Sequence, residues 1–409
     1  MPAATPLPRG PSVLTLYSAD DLLTGPGCPV CRYAAEASDR YLSWFALEGH
    51  ADPAMISRLS SSLGTCAWHT RRLMGQPGAT VRLTAVYRYV LAAARDRLAD
   101  RGGPVRPCPA CEHDIAAASR ALETLLDGIR HISAMSRYRD LGGMCIPHLG
   151  ETAASKERRV VPTLADIQRQ ALDSRSNAAE WLAAIDPDAE VRAVLRQAVP
   201  ATGSTLPASC AVCLAAAQVE RDGLVQRQVL DGHASGDVAG EPALCGKHLA
   251  DAAVAAARTG RLRALLAVQA ARVADGLAGR QPRRMARPQR GGGPARWPGC
   301  CPVCQSRASA EQATLANVRA RLRGTAAQGW QILCVRHHLA LRAADPKASA
   351  ALSQAAIEAA DLLIWQLTDD FGRMADARRG GAALAAEPDA WRQAAAYLDG
   401  GVFGGCPAH

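Results

Sequence analysis

Apolar residues in this chain recur at three- and four-residue intervals, the spacing of one face of an α-helix. Tyr33, Ala37, Tyr41, Trp44 and Phe45 predict a helix over 32–47, and Ile115, Leu122, Leu125 and Ile129 predict another over 112–132. Leu83, Tyr87 and Leu91, with Val86 and Val90 beside them, mark a third. Further stripes run through Leu164, Ile167, Ala171, Ala178, Trp181 and Ile185, then Leu262, Leu266, Val273 and Leu277, then Ile357, Ile364, Leu367 and Phe371. Such stripes read as core faces rather than ligand pockets. No run alternates with the period of two that a half-buried strand needs, and no Asn-Gly hairpin signal occurs. The pattern predicts an all-α protein.

Composition fits that reading. Aromatic residues are only 4% of the 409 residues and apolar residues 48%, so the core must be built from Ala and Leu. A chain of this length holds two to four domains at about 100–200 residues each. No run of 18 apolar residues occurs, so no membrane span is expected. Residues 1–11 are Pro-rich and carry no apolar segment of the secretory type, which gives an expected cytoplasmic location.

The chemistry lies in the 14 cysteines. Twelve fall into four copies of one pattern, Cys-x-x-Cys followed by Cys-x-x-His. The first copy is Cys28, Cys31, Cys66 and His69; the second is Cys108, Cys111, Cys145 and His148. The third is Cys210, Cys213, Cys245 and His248; the fourth is Cys301, Cys304, Cys334 and His337. The gaps between the two pairs are 34, 33, 31 and 29 residues. This is an internal repeat, and each unit is expected to close on its own two pairs. Three thiolates and one imidazole complete a tetrahedral zinc site, and residues three apart at a helix start or knuckle can aim at one centre. Four zinc ions per chain follow, with an iron–sulfur cluster as the rival cofactor. Disulfides would leave the recurring His unexplained. A thioredoxin-like redox pair needs an apolar strand ahead of the motif, where this chain has turn residues such as Gly102, Gly103 and Pro104.

Cys300 beside Cys301 and His338 beside His337 leave a choice of ligand at the fourth unit, which the register of the other copies settles for Cys301 and His337. Cys406 and His409 form one more Cys-x-x-His without a partner pair, which reads either as a frayed tail or as ligands supplied to another molecule. The catalytic signatures are missing: 291–293 is a glycine run without the Gly-Lys-Ser/Thr of a phosphate loop, and no His-Glu-x-x-His occurs. A complete Cys₃His set also leaves no position for an activated water.

The formal charge of +9 is almost all arginine, since Lys156, Lys247 and Lys347 are the only lysines. Loading four zinc ions on twelve thiolates lowers it to about +5. The densest basic stretch, Arg283, Arg284, Arg287, Arg290 and Arg296, sits among Pro and Gly and reads as a linker.

Asp20-Asp21-Leu22-Leu23, the Cys-Pro-Val-Cys at 28–31 and Gly64-Thr65-Cys66-Ala67-Trp68-His69 resemble an uncharacterised bacterial domain-of-unknown-function family. Its members carry Cys-Pro-x-Cys, about thirty helical residues and Gly-x-Cys-x-x-His. Gly143-Met144-Cys145-Ile146-Pro147-His148 fits as well, while Ala211, Leu244 and Leu333 depart from the pattern. The resemblance implies an architecture and no activity.

Together these readings predict four tandem zinc-stapled helical modules in a solenoid-like row or as two pairs. Unit 1 is expected over 12–102, unit 2 over 103–200, unit 3 over 205–280, a linker over 281–298, unit 4 over 299–380 and a tail over 381–409. The expected role is a protein-interaction or regulatory scaffold rather than an enzyme. One alternative is a nucleic-acid-binding regulator whose Arg face joins Arg319, Arg321 and Arg323 to the linker, with binding that falls steeply with salt. The other is an iron–sulfur or thiol redox sensor.

Overall fold

The computed structural model describes residues 19–25, 28–74, 76, 79–129, 132–141, 143–152, 163–164, 166–167, 210–233, 244, 248, 252, 265, 268, 301–324, 333–380 and 390–399. Every element among them is helical. In chain order they are α1 (Ala19–Leu22), α2 (Pro29–Leu47), a 3₁₀ turn (Gly49–Ala51), α3 (Pro53–Ser62), α4 (Ala67–Met74), α5 (Ala79–Leu98), α6 (Pro109–Gly128), α7 (Ile132–Asp140) and α8 (Ile146–Thr152). There follow α9 (Ala211–His233), α10 (Pro302–Gly324), α11 (Val335–Ala344), α12 (Pro346–Gly380) and α13 (Ala390–Asp399). The stripes at 171–185 and 262–277 other than 265 and 268, the linker at 281–298, Cys300, Cys406 and His409 lie outside the described residues.

Two helix pairs organise the molecule. α2 packs along α6, and α9 packs along α10. Both pairs run antiparallel, because the start of each helix shares a core with the end of its partner. Cys28 and Val30 at the start of α2 are buried with Leu125, Leu126 and Ile129 at the end of α6. Cys210 and Val212 at the start of α9 are buried with Val318 and Leu322 near the end of α10. Tyr41 stacks on His113 with ring centroids 4.7 Å apart, which fixes the opposite end of the first pair.

The longest helix, α12, extends about 52 Å at 1.5 Å per residue. It lies along α5, with Arg95 Nη1 3.3 Å from Asp361 Oδ1 and the Arg88 guanidinium over the Phe371 ring. Its buried stripe is Ala356, Ala360, Leu363 and Leu367, which joins Leu83, Val86, Val90, Leu91 and Trp391 in one core. Each Leu buried there contributes about 1.5–3 kcal/mol of transfer free energy. The expected stripe faces this core, with Leu367 fully buried and Ile357 and Ile364 partly buried against it, and Ala356 and Ala360 widen the face. Alanine lets the two helix axes approach closely, which a period count over bulky residues overlooks. The last turn of α5 is closed from the other half of the chain, where Arg342 on α11 donates to the Arg97 and Leu98 carbonyls. A cation there meets both the orphan carbonyls and the negative helix end.

Candidate metal centres

Each of the seven ligand pairs that lie wholly among the described residues is built by the same local device. The first cysteine sits just ahead of a helix, and its carbonyl accepts the first helical hydrogen bond. Arg32 N donates to Cys28 O, Thr70 N to Cys66 O, Glu112 N to Cys108 O and Leu149 N to Cys145 O, at 2.9–3.1 Å. Leu214, Gln305 and His338 do the same for Cys210, Cys301 and Cys334. The second ligand then falls in the first turn, three residues on. Pro29, Pro109 and Pro302 occupy the first helical position, where a missing N–H costs nothing. The thiols face the positive end of the helix and its unpaired N–H groups, a setting that favours thiolate.

A tight turn precedes two of the Cys-x-x-His pairs. Gly64 N donates to Leu59 O at 2.8 Å and Gly143 N to Tyr138 O at 3.0 Å, the six-residue closure that ends a helix. Both glycines have φ near +90°, at 89° and 86°, where a side chain would be strained. These are the glycines of the Gly-x-Cys-x-x-His motif, and they aim α4 and α8 at their clusters.

Fifteen of the sixteen expected ligands gather into four clusters. Their partition differs from the one expected along the sequence. Cys28 and Cys31 meet Cys145 and His148, while Cys66 and His69 meet Cys108 and Cys111. In the second half, Cys210 and Cys213 meet Cys334 and His337, while His248 meets Cys301 and Cys304. Cys245, the remaining expected ligand, lies outside the described residues. The expectation that each unit closes on its own pairs is thereby corrected: among the described ligands every cluster takes its Cys-x-x-Cys from one unit and its histidine from the neighbour. Units 1 and 2 exchange whole pairs reciprocally, and in units 3 and 4 Cys334, His337 and His248 follow the same exchange. The reason is geometric. A cluster forms at the N-terminus of each helix in an antiparallel pair, and the two N-termini of that pair lie at opposite ends.

The inner clusters join the end of one unit to the start of the next, and the outer clusters span both. Cys28 and His148 are 120 residues apart, Cys66 and Cys111 only 45.

The distances fit a tetrahedral ion. A Zn–S bond of ~2.3 Å and a Zn–N bond of ~2.0–2.1 Å set ligand-to-ligand edges of about 3.5–3.8 Å. Sulfur to sulfur, Cys31 to Cys145 is 3.5 Å, Cys66 to Cys111 is 3.5 Å and Cys213 to Cys334 is 3.8 Å. From sulfur to imidazole Nδ1 the range is 3.0 Å, at Cys145 and His148, to 3.7 Å, at Cys108 and His69. In all four clusters it is Nδ1 that faces the thiols. None of the eleven described cysteines forms a disulfide.

The inner clusters carry a second layer of residues. His69 Nε2 donates to Asp114 Oδ2 at 2.7 Å, and His248 Nε2 to Glu220 Oε1 at 3.1 Å. Arg307 Nη1 in turn donates to Glu220 Oε2 at 2.8 Å, and Arg307 Nε to Glu311 at 3.1 Å. A carboxylate on the far nitrogen fixes the tautomer and leaves the near lone pair for a metal. The approach of Cys108 to His69 is held by Arg97, which donates to the Ser60, Ser61 and Gly103 carbonyls at 3.0–3.3 Å. Sequence reasoning missed Asp114, Glu220, Arg307 and Arg97. Only Asp114 left a signal, as an acid three residues past a ligand cysteine.

The electrostatics call for a cation. Burial disfavours the charged forms of His69 and His148, yet Asp114 and the thiols around His69, and Cys145 with Cys28 around His148, hold both well above the usual imidazole range. His248 is likewise buried but is raised to about 11 by Cys301, Cys304 and Glu220. Around His69, His148 and His248 the neighbouring groups thus favour a positive charge at the centre of the cluster, a place that a divalent metal would take over. His338 behaves differently. Burial, with Arg342 nearby, pushes its pKa down to about 4, and its Nε2 lies 3.3 Å from Ser353 Oγ. It is a neutral core histidine, and His337 is the one that joins the cluster.

The fold and its centres define a class: an all-helical protein with four Cys/His clusters suited to metal. No family model, curated protein or solved structure matches the chain.

Proposed function

We propose that the chain is a zinc-stapled helical scaffold that binds another protein, with all four metal centres structural. The observation that carries the reading is the donor set: three sulfurs and one Nδ1 gather at tetrahedral separations in three clusters, and two sulfurs and one Nδ1 in the fourth, which Cys245 would complete, leaving no position for a substrate or water. Zinc is favoured over other metals because three thiolates and an imidazole match its preferences and its edge lengths. A binding role draws support from the exposed face of α12, where Leu362 and Trp365 stand one turn apart at 44% and 66% exposure. Large apolar side chains held in water on a rigid helix are typical anchors for a protein partner. The Arg face for nucleic acid draws less support, because Arg323 is ion-paired with Asp345 on the following helix start. Among the described residues no helix is long and apolar enough to cross a membrane. A cytoplasmic location and kinship with the Cys-Pro-x-Cys bacterial family belong to the same proposal.

The test is elemental analysis with a visible spectrum on protein purified without oxygen. Four zinc per chain and no colour support the reading. Iron with visible absorbance replaces it with an iron–sulfur protein, and a metal-free, fully folded chain overturns it.

A further inference from the structure

The four clusters are alike in their donors and unlike in what stands behind them. At the two inner clusters the histidine is sealed: His69 is 0% exposed and His248 1%. Each has a buried carboxylate on its far nitrogen, Asp114 or Glu220, with side-chain exposures of 11% and 10%. At the two outer clusters His148 and His337 are only half-buried, and among the described residues no carboxylate reaches their Nε2. The thiols do not carry the contrast, since Cys31 in the first outer cluster and Cys304 in the second inner one are both half-buried. An imidazole without a far-side acceptor is free to rotate away from a metal, and an open edge lets a competing ligand attack the ion while it is still bound.

From this contrast we infer that the metals fall into two classes, an inner pair that is retained and an outer pair that exchanges. The inference rests on the reading that the clusters hold metal, and it adds which ions leave first. Partners of this outer-layer kind are worth roughly 10–100-fold in metal affinity. The outer ions also have a distinct structural task. They tie α8 to the start of α2 and α11 to the start of α9, so their loss releases one end of each helix pair and leaves the inner end closed. Outer-site occupancy then sets whether α8 stays tied to the start of α2 and whether the start of α9 stays tied to α11, which makes those two joints responsive to available zinc or to a competing thiol or chelator.

The test uses the full-length, zinc-loaded chain. It is challenged with the chromogenic chelator 4-(2-pyridylazo)resorcinol while N-ethylmaleimide labels released thiols, which are mapped by peptide mass spectrometry. Two zinc ions should leave roughly 10–100-fold faster than the other two. Cys28, Cys31, Cys145, Cys210, Cys213 and Cys334 should label in that first phase, with Cys66, Cys108, Cys111, Cys301 and Cys304 protected. Asp114→Asn should move Cys66, Cys108 and Cys111 into the fast class. Glu220→Gln should do so independently for Cys301 and Cys304, so that poor folding of one variant does not decide the matter. Release of all four ions in one phase, or earlier labelling of the inner cysteines, overturns the inference. Labelling that takes the same course with and without zinc overturns instead the reading that the clusters hold metal.

Discussion

The two inner clusters solve one problem with exchanged parts. In the N-terminal half the acceptor behind His69 is Asp114, three residues past Cys111 on α6, the helix that also supplies two thiols. Three residues past Cys304, the matching place on α10 holds Arg307. There the acceptor is Glu220 on the facing helix α9, and Arg307 holds its second oxygen. Glu220 lies seven residues past Cys213; seven past Cys31 stands Ser38, whose buried hydroxyl has no partner among the described residues. The site therefore demands a carboxylate at Nε2 rather than an acid at a given place in the repeat. When the charge at the first place is reversed, the acid moves across the helix pair.

The largest effects test the frame in which that comparison is made. Cys31→Ser with Cys145→Ser should cost one zinc per chain by elemental analysis, since both serve one cluster. Cys31→Ser with Cys66→Ser should cost two. Tandem closure within each unit gives the opposite result for both doubles. Structural zinc supplies apparent binding free energies of about 10–16 kcal/mol, so each lost ion should also unfold its end of a helix pair, visible as reduced helical circular dichroism.

Next in size is the packing that joins the halves. Trp391 on α13 is 1% exposed and meets Tyr87 on α5 with ring centroids 6.5 Å apart. Trp391→Ala should destabilise the protein by about 3–5 kcal/mol. Because this core also holds Cys66, Cys108 and Cys111, thiol labelling at the first inner cluster should accelerate and that at Cys210 and Cys213 should not. Equal acceleration at both would mean that the two halves open as a single unit.

The described helices that carry long stripes, the fifteen residues that cluster and even the choice of His337 over His338 were legible in the sequence, because each depends on local spacing. Pairs three apart at a helix start, glycines ahead of Cys66 and Cys145, and the stripe through Leu83, Tyr87 and Leu91 all act within a few turns. The partition of the ligands was not legible. Either partition gives three sulfurs and one nitrogen, and what decides between them is the antiparallel course of α2 and α6, a long-range property. The second layer was hidden for the same reason. Glu220 and His248 are 28 residues apart, and nothing near either one points to the other. α3 and α4, short helices without a long stripe, were also missed; Asp52, accepting from Ala54 N at 2.8 Å, and Pro53 are the start signal that announces α3.

A moderate effect tests the exchange of parts directly. Asp114→Asn and Glu220→Gln should each weaken zinc at their own cluster by roughly 10–100-fold in a competition titration. Arg307→Ala should weaken it less, since Arg307 touches the carboxylate and not the imidazole. The double replacement Glu220→Ser with Arg307→Asp copies the N-terminal arrangement into the C-terminal half. Affinity closer to wild type than that of Glu220→Ser alone would mean the two arrangements are interchangeable. Affinity no better would mean that the helix pairs differ in spacing, so that an acid on α10 cannot reach His248.

The smallest effect serves as the control for all of these. Arg95 and Asp361 join α5 to α12 across the same boundary as Trp391, 3.3 Å apart, but their side chains are 37% and 52% exposed. At that exposure the Coulomb gain is screened and the cost of ordering two side chains nearly cancels it, so Asp361→Ala should shift stability by about 0–1 kcal/mol. Zinc content and the order of thiol labelling should not move. A loss above about 2 kcal/mol would mean that the contact between the halves rests on charge as well as on Trp391 and the Leu and Ala side chains beneath it. High salt would then separate the halves, and the two inner clusters could be compared with each half standing alone.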